Sequence, residues 1–99
     1  MQPLTVEHVA NAFSKTTFQR GRAYQRDGYV EKLTEKDNGR DITGWVRGSG
    51  QRRYHVQIIR QRTKAGFEEL EAACSCPVGF NCKHAAALLL EVVAYRQRL

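Results

Sequence analysis

Three cysteines and one histidine cluster between positions 74 and 84, where they form the pattern C-x-C-x5-C-x-H. Its members are Cys74, Cys76, Cys82 and His84. Residues two apart on an extended strand point to the same side, and Pro77 and Gly79 favour a reversal of the chain between the two pairs. Both pairs can therefore face one ion. Three sulfur ligands with one imidazole nitrogen predict a closed, tetrahedral structural zinc site, with one zinc per chain.

Two other interpretations of the cysteines stay open, namely redox-active thiols and a merely buried cluster. The odd count of three excludes complete pairing as disulfides within one chain. Four protein ligands leave zinc no open position for water, and the sequence has no G-x-x-x-x-G-K-[ST] motif. We therefore expect no enzyme activity. The other histidines, His8 and His55, are interpreted as surface residues.

The elements that must position this cluster follow from apolar periodicity and turn residues. Thr5 predicts the N-cap of a first short helix, and Thr16 or Thr17 the N-cap of a second that stops at Gly28. Alternating patterns then predict four strands. Their ranges are Tyr29–Glu35, Ile42–Gly48, Arg53–Arg62 and Gly66–Cys74. Short turn signals between them, including one at Lys64–Gly66, predict an antiparallel meander.

From Cys82 onward the pattern predicts a buried C-terminal helix with two apolar stripes. The first stripe holds Ala85, Leu88, Leu89 and Val92, and the second holds Ala86, Leu90 and Val93. We expect this helix to pack between the sheet and the N-terminal helices, the alternative being that the second stripe binds a partner. The predicted fold class is α+β: two short N-terminal helices, a four-stranded antiparallel sheet, and a zinc-bound turn leading into the C-terminal helix.

Length and composition predict a single small basic domain over residues 1–99. Sixteen Lys and Arg against ten Asp and Glu give a net charge of +6 with neutral histidines. A core of this size is modest, so metal binding would add to folding. The longest apolar run, residues 85–90, is too short to span a membrane, and no secretory signal is recognisable. We expect a cytoplasmic protein without a membrane partner.

Basic residues concentrate between Arg47 and Lys64, a window without Asp or Glu. The predicted nucleic-acid-binding residues are Arg47, Arg52, Arg53, Arg60, Arg62, Lys64 and Lys83. Clustered cations can contact phosphates and release counterions. A second basic strip, Arg20, Arg22 and Arg26, lies on the second predicted helix. The alternative is a solvated basic face that keeps the domain soluble.

The cysteine–histidine pattern, followed by the run A-A-A-L-L-L, resembles the SWIM zinc finger. Upstream, Phe18-x-x-Gly21-x-x-Tyr24-x-x-x-Gly28-x-Val30 and Gly44-x-Val46-x-Gly48-Ser49 are similar to the region that precedes the finger in bacterial SWIM proteins. These proteins include the N-terminal parts of Snf-type helicase-like ATPases. The resemblance covers residues 18–94, although the five-residue gap between the cysteine pairs is short and no ATPase motor is present.

This resemblance implies a zinc-binding module that contacts DNA or proteins. Together with the basic window it favours a module that binds nucleic acid, DNA rather than RNA, mainly through the backbone. A helicase-like ATPase domain is the implied protein partner. The alternative hypothesis is a protein-docking module that makes no contact with nucleic acid.

Overall fold

The computed structural model describes residues 3–62 and 68–99, which form three helices and an antiparallel sheet of four strands. The helices are α1 Val6–Ala12, α2 Lys15–Arg26 and α3 Lys83–Arg98. The strands are β1 Val30–Lys36, β2 Asp41–Arg47, β3 Arg53–Arg62 and β4 Glu68–Cys74. The sheet order is β1-β2-β3-β4, which confirms the α+β meander. The turn predicted at residues 64–66, and with it the predicted start of the fourth strand, lies outside the described residues.

The N-terminal helices begin where short polar side chains satisfy their first backbone amides. The Thr5 hydroxyl accepts from the His8 N–H at 3.2 Å, and the His8 ring accepts from the Thr5 N–H at 3.3 Å, which makes a reciprocal cap. In α2 the Ser14 hydroxyl accepts from the Thr17 N–H at 3.2 Å. The predicted Thr5 cap is confirmed. The prediction of Thr16 or Thr17 as the second cap is wrong, because Ser14 is the extended residue that precedes the first turn.

One face of the sheet is apolar and packs inward, while the other faces outward. The buried residues of the inner face include Ile42, Val46, Val56, Ile58 and Ala72. On the outer face Trp45 and His55 lie opposite each other in the β2–β3 register. β1 is irregular between Glu31 and Thr34, where Lys32 adopts a φ of 53°. Such a bulge redirects side chains at the point where it interrupts the ladder.

Helix α3 fills the space between the sheet and the other two helices. Its buried residues are His84, Ala85, Ala86, Ala87, Leu88, Leu89, Leu90, Val92 and Val93, so both predicted stripes lie in the interior. The predicted position of the helix is confirmed. The alternative that its second stripe binds a partner is wrong, because that stripe is already covered. In the described part of the chain no helix, α3 included, has both the length and the apolarity of a membrane span.

Close packing of α2 against α3 depends on Gly21. A Cβ atom added at this position would lie 2.5 Å from the Ala86 Cβ and 2.9 Å from the Lys83 carbonyl oxygen. Both distances are too short for non-bonded carbon contacts. The two helix backbones can approach this closely only because residue 21 has no side chain, which confirms the close packing expected there.

We predict that Gly21→Ala lowers the free energy of unfolding by about 1–3 kcal/mol, the usual cost of overpacking. At an exposed helix position the same change would raise it by about 1 kcal/mol, so the sign is diagnostic. Urea denaturation measures the difference. Adding Ala86→Gly removes the shortest contact and should recover part of the loss. A Gly21→Ala protein as stable as wild type would contradict this account of the packing.

Candidate metal centre and basic surface

The end of β4 and the start of α3 bring the four predicted ligands together. Cys74 ends β4, Cys76 lies in the turn that follows, Cys82 is the residue before α3, and His84 is in its first turn. One ligand atom from each residue lies within 4.8 Å of all the others. Cys76, Cys82 and His84 are buried and Cys74 partly so. The sequence spacing thus becomes one compact cluster in space.

The reversal between the two cysteine pairs is fixed by backbone contacts to β4. The Cys74 N–H donates to the Gly79 carbonyl at 2.8 Å, and the Asn81 N–H donates to the Ala72 carbonyl at 3.1 Å. Gly79 and Asn81 have φ values of 86° and 47°. Glycine adopts such values without strain, and asparagine tolerates them better than most residues. The turn therefore returns the chain to the end of β4 at Cys82.

Two sulfur–nitrogen distances within the cluster fit a tetrahedral zinc ion. Zinc bonds of about 2.3 Å to sulfur and 2.0–2.1 Å to nitrogen place sulfur and nitrogen ligands about 3.6 Å apart at the tetrahedral angle. The His84 Nδ1 atom lies 3.7 Å from the Cys74 Sγ and 3.6 Å from the Cys82 Sγ. Sulfur with one imidazole is also a donor set that zinc favours. The cluster could therefore hold one zinc ion, with Nδ1 as the nitrogen ligand.

A hydrogen bond between Cys74 and Cys82 shifts their pKa values in opposite directions. The Cys74 thiol donates to the Cys82 sulfur, and this bond, with others from His84 and the Ala85 N–H, lowers the pKa of Cys82 to about 3 despite its burial. The same bond, together with burial, raises the pKa of Cys74 well above its ordinary value. Zinc takes cysteine as thiolate, so its binding must release the Cys74 proton.

Two tyrosine rings pack on His84. The Tyr54 ring, from β3, lies 4.7 Å from the imidazole, and the Tyr24 ring, from α2, lies 5.5 Å away in an edge contact, both measured between centroids. This candidate metal ligand is thereby linked to the sheet and to α2. Sequence reasoning did not single out these rings as site residues. The position of Tyr54 near the site could have been predicted from the alternation in β3. Tyr54 lies on the same inner face as Val56, and Val56 pairs with Cys74.

The predicted basic residues separate into two groups at opposite ends of β3. Arg53 begins the strand and Arg62 ends it, and nine steps of an extended chain span roughly 30 Å. Arg47 pairs with Arg53 in the register, Arg52 precedes it, and all three are exposed. Lys64 lies outside the described residues. The structure therefore places three of the predicted cations together and Arg62 apart from them.

Arg60 is buried, with a side chain that is 1% exposed, and it forms an ion pair with Glu68. It continues the inward alternation of Val56 and Ile58 along β3. The expectation that Arg60 contacts phosphate is corrected by this position, because its guanidinium faces the interior rather than the surface.

A carboxylate from another strand lies among the exposed arginines. Glu31 on β1 forms ion pairs with Arg47 at 3.3 Å and with Arg53 at 3.2 Å. Exposed pairs of this kind add little stability, but they hold the two guanidinium groups side by side. Residues 47–64 contain no Asp or Glu in the sequence, but in the folded chain this basic region does have a neighbouring carboxylate. In the fold, β1 supplies the acidic residue.

Aromatic contacts connect Lys83 to these arginines. The Lys83 Nζ lies 5.1 Å from the Tyr24 ring, the Arg47 guanidinium lies 5.0 Å from the Tyr29 ring, and the two rings meet edge to face at 5.2 Å. We name the set Arg47, Arg52, Arg53 and Lys83 the basic end. It borders the metal cluster, since Lys83 stands between two candidate ligands. The predicted strip Arg20, Arg22 and Arg26 is also exposed.

Comparison with known protein families finds that residues 54–92 match the family model of the SWIM zinc finger. Comparison with curated proteins and with solved structures gives no significant match. The match begins in β3, includes all four candidate ligands and ends in α3. It confirms the resemblance of this segment, while the likeness of the upstream pattern to helicase-like ATPases stays a prediction. Residues 54–92 are thus similar to a SWIM zinc finger, and their cluster of three cysteines and one histidine could hold one zinc ion.

Proposed function

We propose that the chain is a zinc-stabilised module that binds nucleic acid, DNA rather than RNA, through the phosphate backbone. The observation that carries the proposal is the basic end, where exposed guanidinium groups and Lys83 border the metal cluster. The net charge of +6 supports an anionic partner. A cytoplasmic setting suits the site as well, because it keeps the thiols reduced and available to a metal.

Zinc has a structural role in this proposal. Bound by Cys74 and Cys76 on one side and by Cys82 and His84 on the other, it would fasten the end of β4 to the start of α3. Four protein ligands leave no open coordination position, so we assign the site no catalytic role. Because a preformed site rarely exists in an unfolded chain, the binding energy becomes folding energy.

The purified protein should hold one zinc per chain, and chelation or Cys76→Ser should unfold α3 and much of the sheet. A small core gains a large part of its stability from such a metal tie. Elemental analysis measures the zinc, and circular dichroism follows the thermal melt. Val78→Ser changes an exposed residue of the same turn and should alter neither. An unchanged melt after verified metal removal would show that the core folds without the metal.

Zinc affinity should fall as pH is lowered from about 8 to about 6, by roughly tenfold per pH unit for each proton released. The raised pKa of Cys74 keeps its thiol protonated over this range, so protons compete directly with the metal. Competition with a chelator of known pH dependence measures the affinity. An affinity independent of pH would contradict thiolate ligation by Cys74.

The geometry of the basic end supports the proposed contact with phosphate. The Arg53 and Arg47 side chains are 60% and 46% exposed, and their positions are fixed by Glu31 rather than free to spread. Guanidinium groups bind phosphate oxygens with paired hydrogen bonds, and contacts of this kind carry no base information directly. The module would therefore bind many sequences with similar affinity.

Arg52→Ala combined with Arg53→Ala should weaken binding about equally across sequences and reduce the slope of affinity against salt by up to about two contacts. Titration of labelled DNA at two salt concentrations measures both. The control Arg62→Ala with Arg98→Ala removes the same charge from positions away from the basic end and should have a smaller effect. Equal losses in the two double variants would indicate a general charge effect. No salt-sensitive binding by wild type would contradict the proposal.

A second candidate function, docking to a protein, is favoured by one observation. Val78 and Phe80, both in the turn between the cysteine pairs, are each 71% exposed. Two apolar side chains on a turn that zinc would hold rigid could enter a partner's groove. The upstream likeness supports a helicase-like ATPase domain as that partner. Apolar docking depends little on salt, whereas phosphate binding weakens steeply as salt rises, so the salt series separates the two functions.

A further inference from the structure

The outer face of the sheet carries an aromatic residue that phosphate binding alone does not use. Trp45 lies on the interior strand β2 and is 39% exposed. Its register partners are Glu31 on β1 and His55 on β3, and the His55 ring meets the indole edge to face at 5.0 Å. The histidine contact restrains the indole, and part of the tryptophan side chain stays open to solvent.

Trp45 lines a surface depression of about 320 Å³ together with Glu31, Lys32 and Arg53. Lys32 reaches it from the bulge in β1, at the residue with positive φ. The Glu31 carboxylate is engaged by Arg47 and Arg53, so it is already offset by two cations. The depression therefore combines a partly exposed aromatic side chain with an excess of positive charge.

The distribution of charge along the outer face would attract an anionic ligand to the end of the sheet that carries Trp45. Glu69 and Glu71 on β4 lie at the opposite end of the sheet, opposite Gln61 and Ile59 in the register. The basic end lies beside Trp45, because Arg47 and Arg53 are the next outward-facing pair after Trp45 and His55. A chain of phosphates is attracted to this end and repelled from the other.

We propose that Trp45 is a stacking platform for an unpaired base, and hence that the ligand of this module is single-stranded nucleic acid; the inference rests on the proposed function. A positively charged track beside an exposed aromatic ring is the combination by which proteins bind single strands without sequence preference. In a duplex both faces of each base are already stacked. A duplex would therefore use only the cations and leave the indole exposed.

The test uses the zinc-loaded full chain with a short thymidine oligonucleotide, and with a second oligonucleotide of equal length that carries abasic sites throughout. Trp45 is the single tryptophan of the chain, so its fluorescence reports directly on stacking. We expect quenching by the thymidine strand and much less by the abasic strand or by duplex DNA. Trp45→Ala should weaken binding of the thymidine strand by about 5- to 150-fold, the range that base–aromatic stacking gives. It should leave abasic binding unchanged.

Two further variants separate stacking from structural damage. Trp45→Phe keeps an aromatic ring and should retain most of the affinity for the thymidine strand. Thr43→Ala, on the outer face of the same strand, should alter neither oligonucleotide. If the thymidine and abasic strands bind alike and Trp45→Ala has no effect, the stacking inference is overturned while phosphate binding at the basic end stands. If neither strand binds, the proposed function fails together with it.

Discussion

The rest of the structure depends on the constraint that the cysteine–histidine cluster places on α3. A helix that is apolar nearly all round has no polar face to set its rotation about its own axis. Cys82 and His84 supply that constraint, because their ligand atoms cluster with those of Cys74, at the end of β4, and of Cys76, in the turn that follows. Two glycines then allow α3 to pack closely against the neighbouring elements on two of its sides. Gly21 does so on α2, and a Cβ at Gly44 on β2 would lie 2.6 Å from the Leu88 side chain.

The same constraint connects the metal to the basic end. His84 packs between Tyr24 and Tyr54, Tyr24 contacts Tyr29, and Tyr29 lies under the Arg47 guanidinium. A candidate metal ligand and an exposed arginine of the basic end are thus joined by three aromatic contacts. Loss of a bound metal would free His84 to move and would loosen the tyrosine packing that supports the Arg47 guanidinium. Under the proposed function, a structural zinc would therefore support the basic end without being part of it.

Features that depend on neighbours along the chain, including the order of the strands, could be predicted from the sequence, whereas side-chain contacts between paired strands could not. The four candidate ligands follow from spacing over one turn, and the β3 boundaries follow from alternation within one strand. The burial of Arg60 also follows from that alternation. It was not predicted, because Arg60 lies among other basic residues in the sequence and was grouped with them. Glu31 is different, because only the β1–β2 pairing brings it beside Arg47. No pattern within either segment indicates that contact.

Glu31 also explains why the basic end can be both ordered and open to ligand. Its carboxylate pairs with both Arg47 and Arg53, so under the proposed function less side-chain freedom would be lost when a phosphate binds. A phosphate would, however, have to replace or share that carboxylate, and losing the two ion pairs would offset part of the favourable binding energy. Such a site favours modest, salt-sensitive affinity over tight binding. Under the proposed function, further binding energy would have to come from a group other than the arginines, and the partly exposed indole of Trp45, opposite Glu31 in the register, is placed to supply it.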